Sequence, residues 1–181
     1  MSNFNSQKII APIMRFVNMK GIIALKDGML AILPLTVVGS LFLIIGQLPF
    51  EGLNQAIASV FGDTWTEPFM QVYSGTFAIM GLISCFSIGY SYAKNSGVEP
   101  LPAGVLSLSS FFILLKSSYV PAKGEPIGDA IAKVWFGGQG IIGAIIIGLV
   151  VGAIYTVFIQ RHIVIKMPEQ VPQAIAKQFE A

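Results

Sequence analysis

The chain has 181 residues, 54% of them hydrophobic and 11% charged, with a formal net charge of +2. A soluble domain carries about 25% charged residues, so most of the usual solvating charge is missing, and the scattered basic residues form no stripe that would suit a nucleic acid. A single cysteine, Cys85, excludes an internal disulfide and a thiolate metal cluster.

No Asp, Glu, Lys or Arg falls in 28–50, 68–93, 100–115 or 134–160. A core helix of a soluble protein keeps a charged stripe on its outer face, and these stretches have none. Lipid or other protein must surround them. At a rise of about 1.5 Å per residue, three of the four exceed the roughly 30 Å of bilayer hydrocarbon. The 100–115 stretch reaches only about 24 Å, so it either borrows Lys116 as a snorkelling anchor or crosses incompletely. The sequence therefore predicts an all-α integral membrane protein with transmembrane helices over about 28–50, 68–93, 100–116 and 134–160.

In chain order, residues 4–23 alternate Phe4, Ile9, Ile10, Ile13, Phe16 and Val17 with Lys8, Arg15 and Lys20, which predicts an interfacial amphipathic helix interrupted near Pro12. The first apolar run is too long for a signal-peptide core, and no A-x-A site follows it. Pro34, seven residues into the first span, removes a ladder hydrogen bond and predicts a kink. Phe50, Leu53, Ile57 and Phe61 at helical spacing predict a second surface piece over 50–62, before an interfacial Trp65. The second span sets Gly81, Cys85 and Gly89 four apart, on one face. Asn95 to Pro102 reads as a turn, with glycine closing one helix and proline opening the next. The 117–133 stretch, with Pro121, Gly124, Pro126 and Gly128, has no sustained periodicity and is expected to be a loop. In the fourth span, Gly140, Ala144, Gly148 and Gly152 form a row of small residues. In lipid, such rows mark places where helix backbones approach closely, here either within the bundle or between two copies. After the span, Val171, Ile175 and Phe179 recur four apart behind Pro168 and Pro172, which predicts a truncated fifth helix, cut in its opening turns.

Orientation follows from the basic residues. The N-terminal arm holds Lys8, Arg15, Lys20 and Lys26 against Asp27, whereas the loop after the first span holds Glu51, Asp63 and Glu67 and no cation. The positive-inside rule puts the N-terminus, and after four crossings the C-terminus, in the cytoplasm. Lys116, Lys123 and Lys133 in the predicted outer loop run against it, but the first helix usually dominates. His162 is the sole histidine and has no carboxylate near it in sequence, so it lacks the partners a catalytic group needs. No nucleotide-binding or zinc-helix motif occurs, and no ionisable residue within a span marks an ion pathway. Catalytic residues, metal ligands and cofactors are not expected. The uncharged Gln47, Ser107, Ser109, Ser110, Gln139 and Thr156 are suited to hydrogen-bond a neutral ligand such as a sugar, or neighbouring backbones.

Three segments carry a resemblance: Lys26-Asp27-Gly28-Met29-Leu30-Ala31-Ile32-Leu33-Pro34-Leu35, the Gly140-to-Tyr155 span, and Ile165-Lys166-Met167-Pro168-Glu169-Gln170-Val171-Pro172 running on to Phe179. Together they resemble the N-terminal part of the membrane permease, enzyme IIC, of the bacterial phosphoenolpyruvate-dependent phosphotransferase system, in its lactose/cellobiose/diacetylchitobiose group. The resemblance implies a homodimeric permease of the bacterial cell membrane that carries a β-linked disaccharide inward for phosphorylation by partner IIB and IIA proteins. It also implies that this portion builds scaffold and dimer interface, and that the sugar-binding half, with its histidine and glutamate, lies beyond it. His162 does not match that histidine, and Cys85 is not a phosphocysteine. Gln139, at the mouth of the fourth span, is the one candidate for contact with substrate. The other reading is a small self-associating membrane module without transport activity; charge-free spans argue against an ion-coupled carrier.

Overall fold

A computed structural model describes residues 14–121, 124, 125 and 127–163. Seven α-helices lie wholly within the described residues: α1 Lys20–Ala31, α2 Leu33–Gly46, α3 Glu51–Phe61, α4 Glu67–Gly75, α5 Met80–Asn95, α6 Pro100–Leu114 and α7 Ile141–Gln160. Short 3₁₀ turns lie at Phe77–Ile79, Lys133–Phe136 and Gly138–Gly140. The expected truncated fifth helix lies outside the described residues, as do the first residues of the expected N-terminal surface helix. Of that helix, 14–17 are helical, the chain turns at 18 and 19, and α1 then begins at Lys20.

Two segments are long and apolar enough to cross a membrane: Glu67–Asn95, of 29 residues, and Gly138–Gln160, of 23. The pair α1 and α2 qualifies as a third only if its two halves count as one span bent by 41°. Helix α6, with 15 residues, rises about 22 Å and falls short of the roughly 30 Å hydrocarbon layer. By length, the described residues thus give two or three spans.

The α1–α2 bend has the cause the sequence predicts. Pro34 has no N–H, and its ring cannot stack under the Leu30 carbonyl, so the ladder stops at Ile32 and restarts with proline in the first turn of α2. The 67–95 segment, expected to be uninterrupted, is also broken, at Thr76, where φ is −125° and ψ −86°. The Thr76 hydroxyl donates to the Val72 carbonyl at 2.6 Å, and Gly39 of α2 lies so close that a Cβ there would stand 2.7 Å from the Phe77 nitrogen. Side-chain competition for the ladder and a helix pressed against the break together account for it.

Helix α5 is the axis of the bundle, packed by α1, α6 and α7. Cys85 and Ala144 meet Phe111 in one apolar cluster, and Ala93 and Ala103 meet Tyr155 in another. Helix α5 ends as predicted, in a left-handed Gly97 with φ +75°. The Val98 amide donates to Ala93 O at 3.2 Å and the Gly97 amide to Lys94 O at 3.1 Å, a Schellman cap that satisfies carbonyls otherwise orphaned. Opposite the core, Ile142, Ile146, Val150 and Ile154 form an exposed row along α7, and Val37, Leu41 and Ile44 another along α2. Exposed apolar rows of this kind suit lipid.

The 117–133 stretch is not wholly loop. Ser118–Tyr119 (β1) pairs antiparallel with Ile127–Gly128 (β2), Ser118 opposite Gly128 and Tyr119 opposite Ile127. Strands of two residues are too short to display an alternation.

Candidate ligand site beside Gln139

Gln139 sits in the Gly138–Gly140 turn that opens into α7. The turn is tight because glycines let backbones meet. A Cβ at Gly81 would lie 2.8 Å from both the Gly137 and the Phe136 carbonyl oxygens, so the irregular stretch before α7 rests directly on the start of α5. Beside this contact opens a cavity of about 370 Å³, lined by Gln139, Lys133, Val134, Tyr73, Phe77 and Met80. Tyr73 and Phe77 stack, with ring centroids 5.8 Å apart and planes at 22°. The Lys133 ammonium donates to the Ser74 hydroxyl, and the Gln139 side chain is exposed.

The chemistry on offer is recognition. An amide supplies donors and an acceptor, an ammonium supplies donors, and two aromatic rings supply an apolar wall. Among the described residues no group of three or more His, Cys, Asp or Glu is placed to hold a metal ion. His162 lies exposed beyond the end of α7 with φ +51°, its amide donating to the Ile159 carbonyl at 3.0 Å.

The other singled-out residues lie elsewhere. Gly140 is buried against the Trp135 carbonyl. Ala144, Gly148 and Gly152 are buried along the same face of α7. A Cβ at Gly148 would stand 2.8 Å from the Cys85 carbonyl oxygen, and one at Gly152 would stand 2.8 Å from the Tyr92 Cβ. These contacts are all within the one chain. The Ser107 hydroxyl is spent on the Ala103 carbonyl at 2.8 Å, while the Ser107 carbonyl accepts from the Cys85 thiol at 3.2 Å. Thr156 Oγ1 is buried without a partner among the described residues. The Tyr73–Phe77 pair and Ser74 were not singled out in the sequence, and Lys133 stood there only as a loop cation. The available signal was two aromatics four apart, flanking Gly75-Thr76, but it takes the break at Thr76 to bring them beside Gln139.

A helical membrane bundle with glycine-tight contacts and broken spans is the class these features define. Residues 26–181 match the family model described as "Phosphotransferase system, EIIC", and the chain belongs to that family. It is 38% identical to the lichenan permease IIC component of Bacillus subtilis (strain 168) over 97% of this chain and 40% of that protein. It is 38% identical to the cellobiose-specific EIIC component of Geobacillus stearothermophilus over 87% of this chain and 36% of that one. Among solved structures it matches the transporter ChbC, the IIC component of an N,N'-diacetylchitobiose-specific phosphotransferase system, with a TM-score of 0.85 and 32% identity. That match covers 98% of this chain and 42% of ChbC. The chain thus spans about two fifths of the length of these relatives.

Proposed function

We propose that this chain is the N-terminal, scaffold-forming part of a phosphotransferase-system sugar permease that takes a β-linked disaccharide such as cellobiose or diacetylchitobiose, and that it does not transport alone. The observation that carries the reading is the superposition on ChbC along nearly the whole chain but under half of ChbC, joined to the lichenan and cellobiose names of the relatives. In this reading α1–α2, 67–95, α6 and α7 are four crossings, with both ends in the cytoplasm of a bacterial cell. The permease works as a homodimer and delivers sugar to IIB, itself charged by IIA. Gln139 lies at the outer mouth, where its amide meets sugar hydroxyls against the Tyr73–Phe77 wall. The glycine row serves helix packing. A dimer formed through it would first have to part α7 from α5, so the second copy sits on another face.

The test is a chimera. Residues 1–181 replace the matching N-terminal segment of the Bacillus subtilis lichenan permease in cells lacking other β-glucoside permeases. The chimera is expected to restore phosphoenolpyruvate-dependent uptake of labelled cellobiose, and residues 1–181 alone are expected not to. A chimera that reaches the membrane at normal abundance and gives no uptake, or uptake by the chain alone, overturns the proposal. The second outcome would remove the scaffold reading specifically. The alternative, a self-associating module without transport, predicts an inactive chimera.

A further inference from the structure

A second concavity, sharing no residue with the Gln139 cavity, lies between α1 and α5. It encloses about 400 Å³ and is lined by Asp27, Ala31, Phe86, Tyr90, Ser91 and Lys94, among others. Its two ends differ in chemistry. At one end, the Asp27 carboxylate accepts from Asn95 Nδ2 at 2.9 Å and lies 3.4 Å from the Lys26 ammonium. An ionised carboxylate offers about four acceptor directions, so two remain. Lys94 stands exposed at the same end. At the other end are Ala31 and the Phe86 ring, which stacks on Tyr90 at 6.1 Å and 24°. The Ser91 hydroxyl lines the wall between them on a residue only 8% exposed.

From Lys94 back to Phe86 is eight residues of helix, about 12 Å. Over that distance the groove passes from paired charges to hydrocarbon-like wall. A bilayer makes the same passage over its interfacial layer of roughly 5–8 Å and the first acyl carbons below it. An amphiphile lying along the bundle matches both ends. The charges of the groove choose among amphiphiles. With Lys26 beside Asp27 already, the groove offers one carboxylate with spare acceptor capacity and one ammonium, Lys94, that forms no ion pair among the described residues. An anionic headgroup would meet the Asp27 carboxylate, whereas a zwitterion complements both groups.

We propose that the α1–α5 groove is a binding site for a zwitterionic phospholipid whose headgroup ends in a primary ammonium, of the phosphatidylethanolamine type. The phosphate rests on Lys94, the ammonium donates to Asp27, and an acyl chain covers Ala31 and Phe86. A trimethylated headgroup has no N–H to donate, so Asp27 discriminates between the two amines.

Native mass spectrometry of the 181-residue chain released from detergent, with phosphatidylethanolamine, phosphatidylcholine or phosphatidylglycerol of identical acyl chains added in turn, tests this. Phosphatidylethanolamine is expected to be retained over phosphatidylcholine by about tenfold, the scale of one hydrogen bond to a charged group. Asp27→Leu, which removes every side-chain acceptor, should bring the two to equal retention, and Lys94→Gln should lower both together. Ala31→Trp fills the apolar end at an exposed position without touching the charges, and should lower retention of every lipid even if Asp27→Leu proves too unstable to study. A preference that survives Asp27→Leu overturns the site, as does phosphatidylglycerol bound as well as phosphatidylethanolamine. A lipid-free dimer, with a second copy in the groove, also overturns it.

Discussion

Gly148 sits where α7 and α5 touch, and the contact is backbone to backbone. The nearest atom to an added Cβ is the Cys85 carbonyl oxygen at 2.8 Å, which cannot swing aside as a side-chain end would. Gly143, on the open side of the same helix, has nothing within 4 Å. Gly148→Ile should therefore cost about 1–3 kcal/mol or more through overpacking, and Gly143→Ile within about 0.5 kcal/mol either way. Thermal unfolding of the two variants in detergent, with helicity as the signal, checks the difference; equal midpoints would count against the packing account. The importance of this row was legible, because four small residues at a spacing of four have a physical meaning in lipid. Which partner it meets was not, since spacing on one helix says nothing about the surface opposite. Gln139 illustrates the same limit. Its place at a span mouth and its neighbour Lys133 are local, but its company of Tyr73 and Phe77 depends on chain more than about 60 residues away.

Elements in this bundle are set by how they stop. The α5–α6 turn depends on Gly97 at φ +75°, a conformation that costs an L-residue about 1–2 kcal/mol. Gly97→Ala should lower stability by about that amount, read as a fall in the unfolding midpoint; an unchanged midpoint would show that the turn relaxes freely. Both this ending and the Pro34 bend were readable, because proline and glycine punctuate a chain through their own backbone chemistry. The Thr76 break was not. Gly75-Thr76 lies in an unbroken charge-free run, and a β-branched hydroxyl residue in such a run more often continues the helix than ends it. What distinguishes Thr76 is Gly39 pressed against the neighbouring backbone, a contact no local pattern reports. The β1–β2 ribbon escaped notice for a simpler reason, its two-residue strands.

At the level of the whole molecule, the proposed topology makes an exposure prediction. Single cysteines placed at Asp63 and at Gly97 should differ in intact cells: a membrane-impermeant maleimide should label the first from outside, and the second only after the membrane is opened. The native Cys85 gives little background, being fully buried with its thiol donating to Ser107 O. Labelling in the opposite sense would reverse the orientation and, with it, the placement of Gln139 at the outer mouth. The short helix α6 has a further consequence on the four-crossing reading. Its 15 residues offer about 22 Å of apolar length, while the 23 residues of 138–160 offer about 35 Å. One flank of the bundle is therefore too thin for the bilayer and the other slightly too thick. Lipid around the α6 flank must dimple inward by several ångströms, at a cost of fractions of a kcal/mol per ångström. A membrane protein with such a wedge-shaped apolar belt is sensitive to the thickness of the membrane it sits in, and that mechanical coupling acts on it whether or not sugar is present.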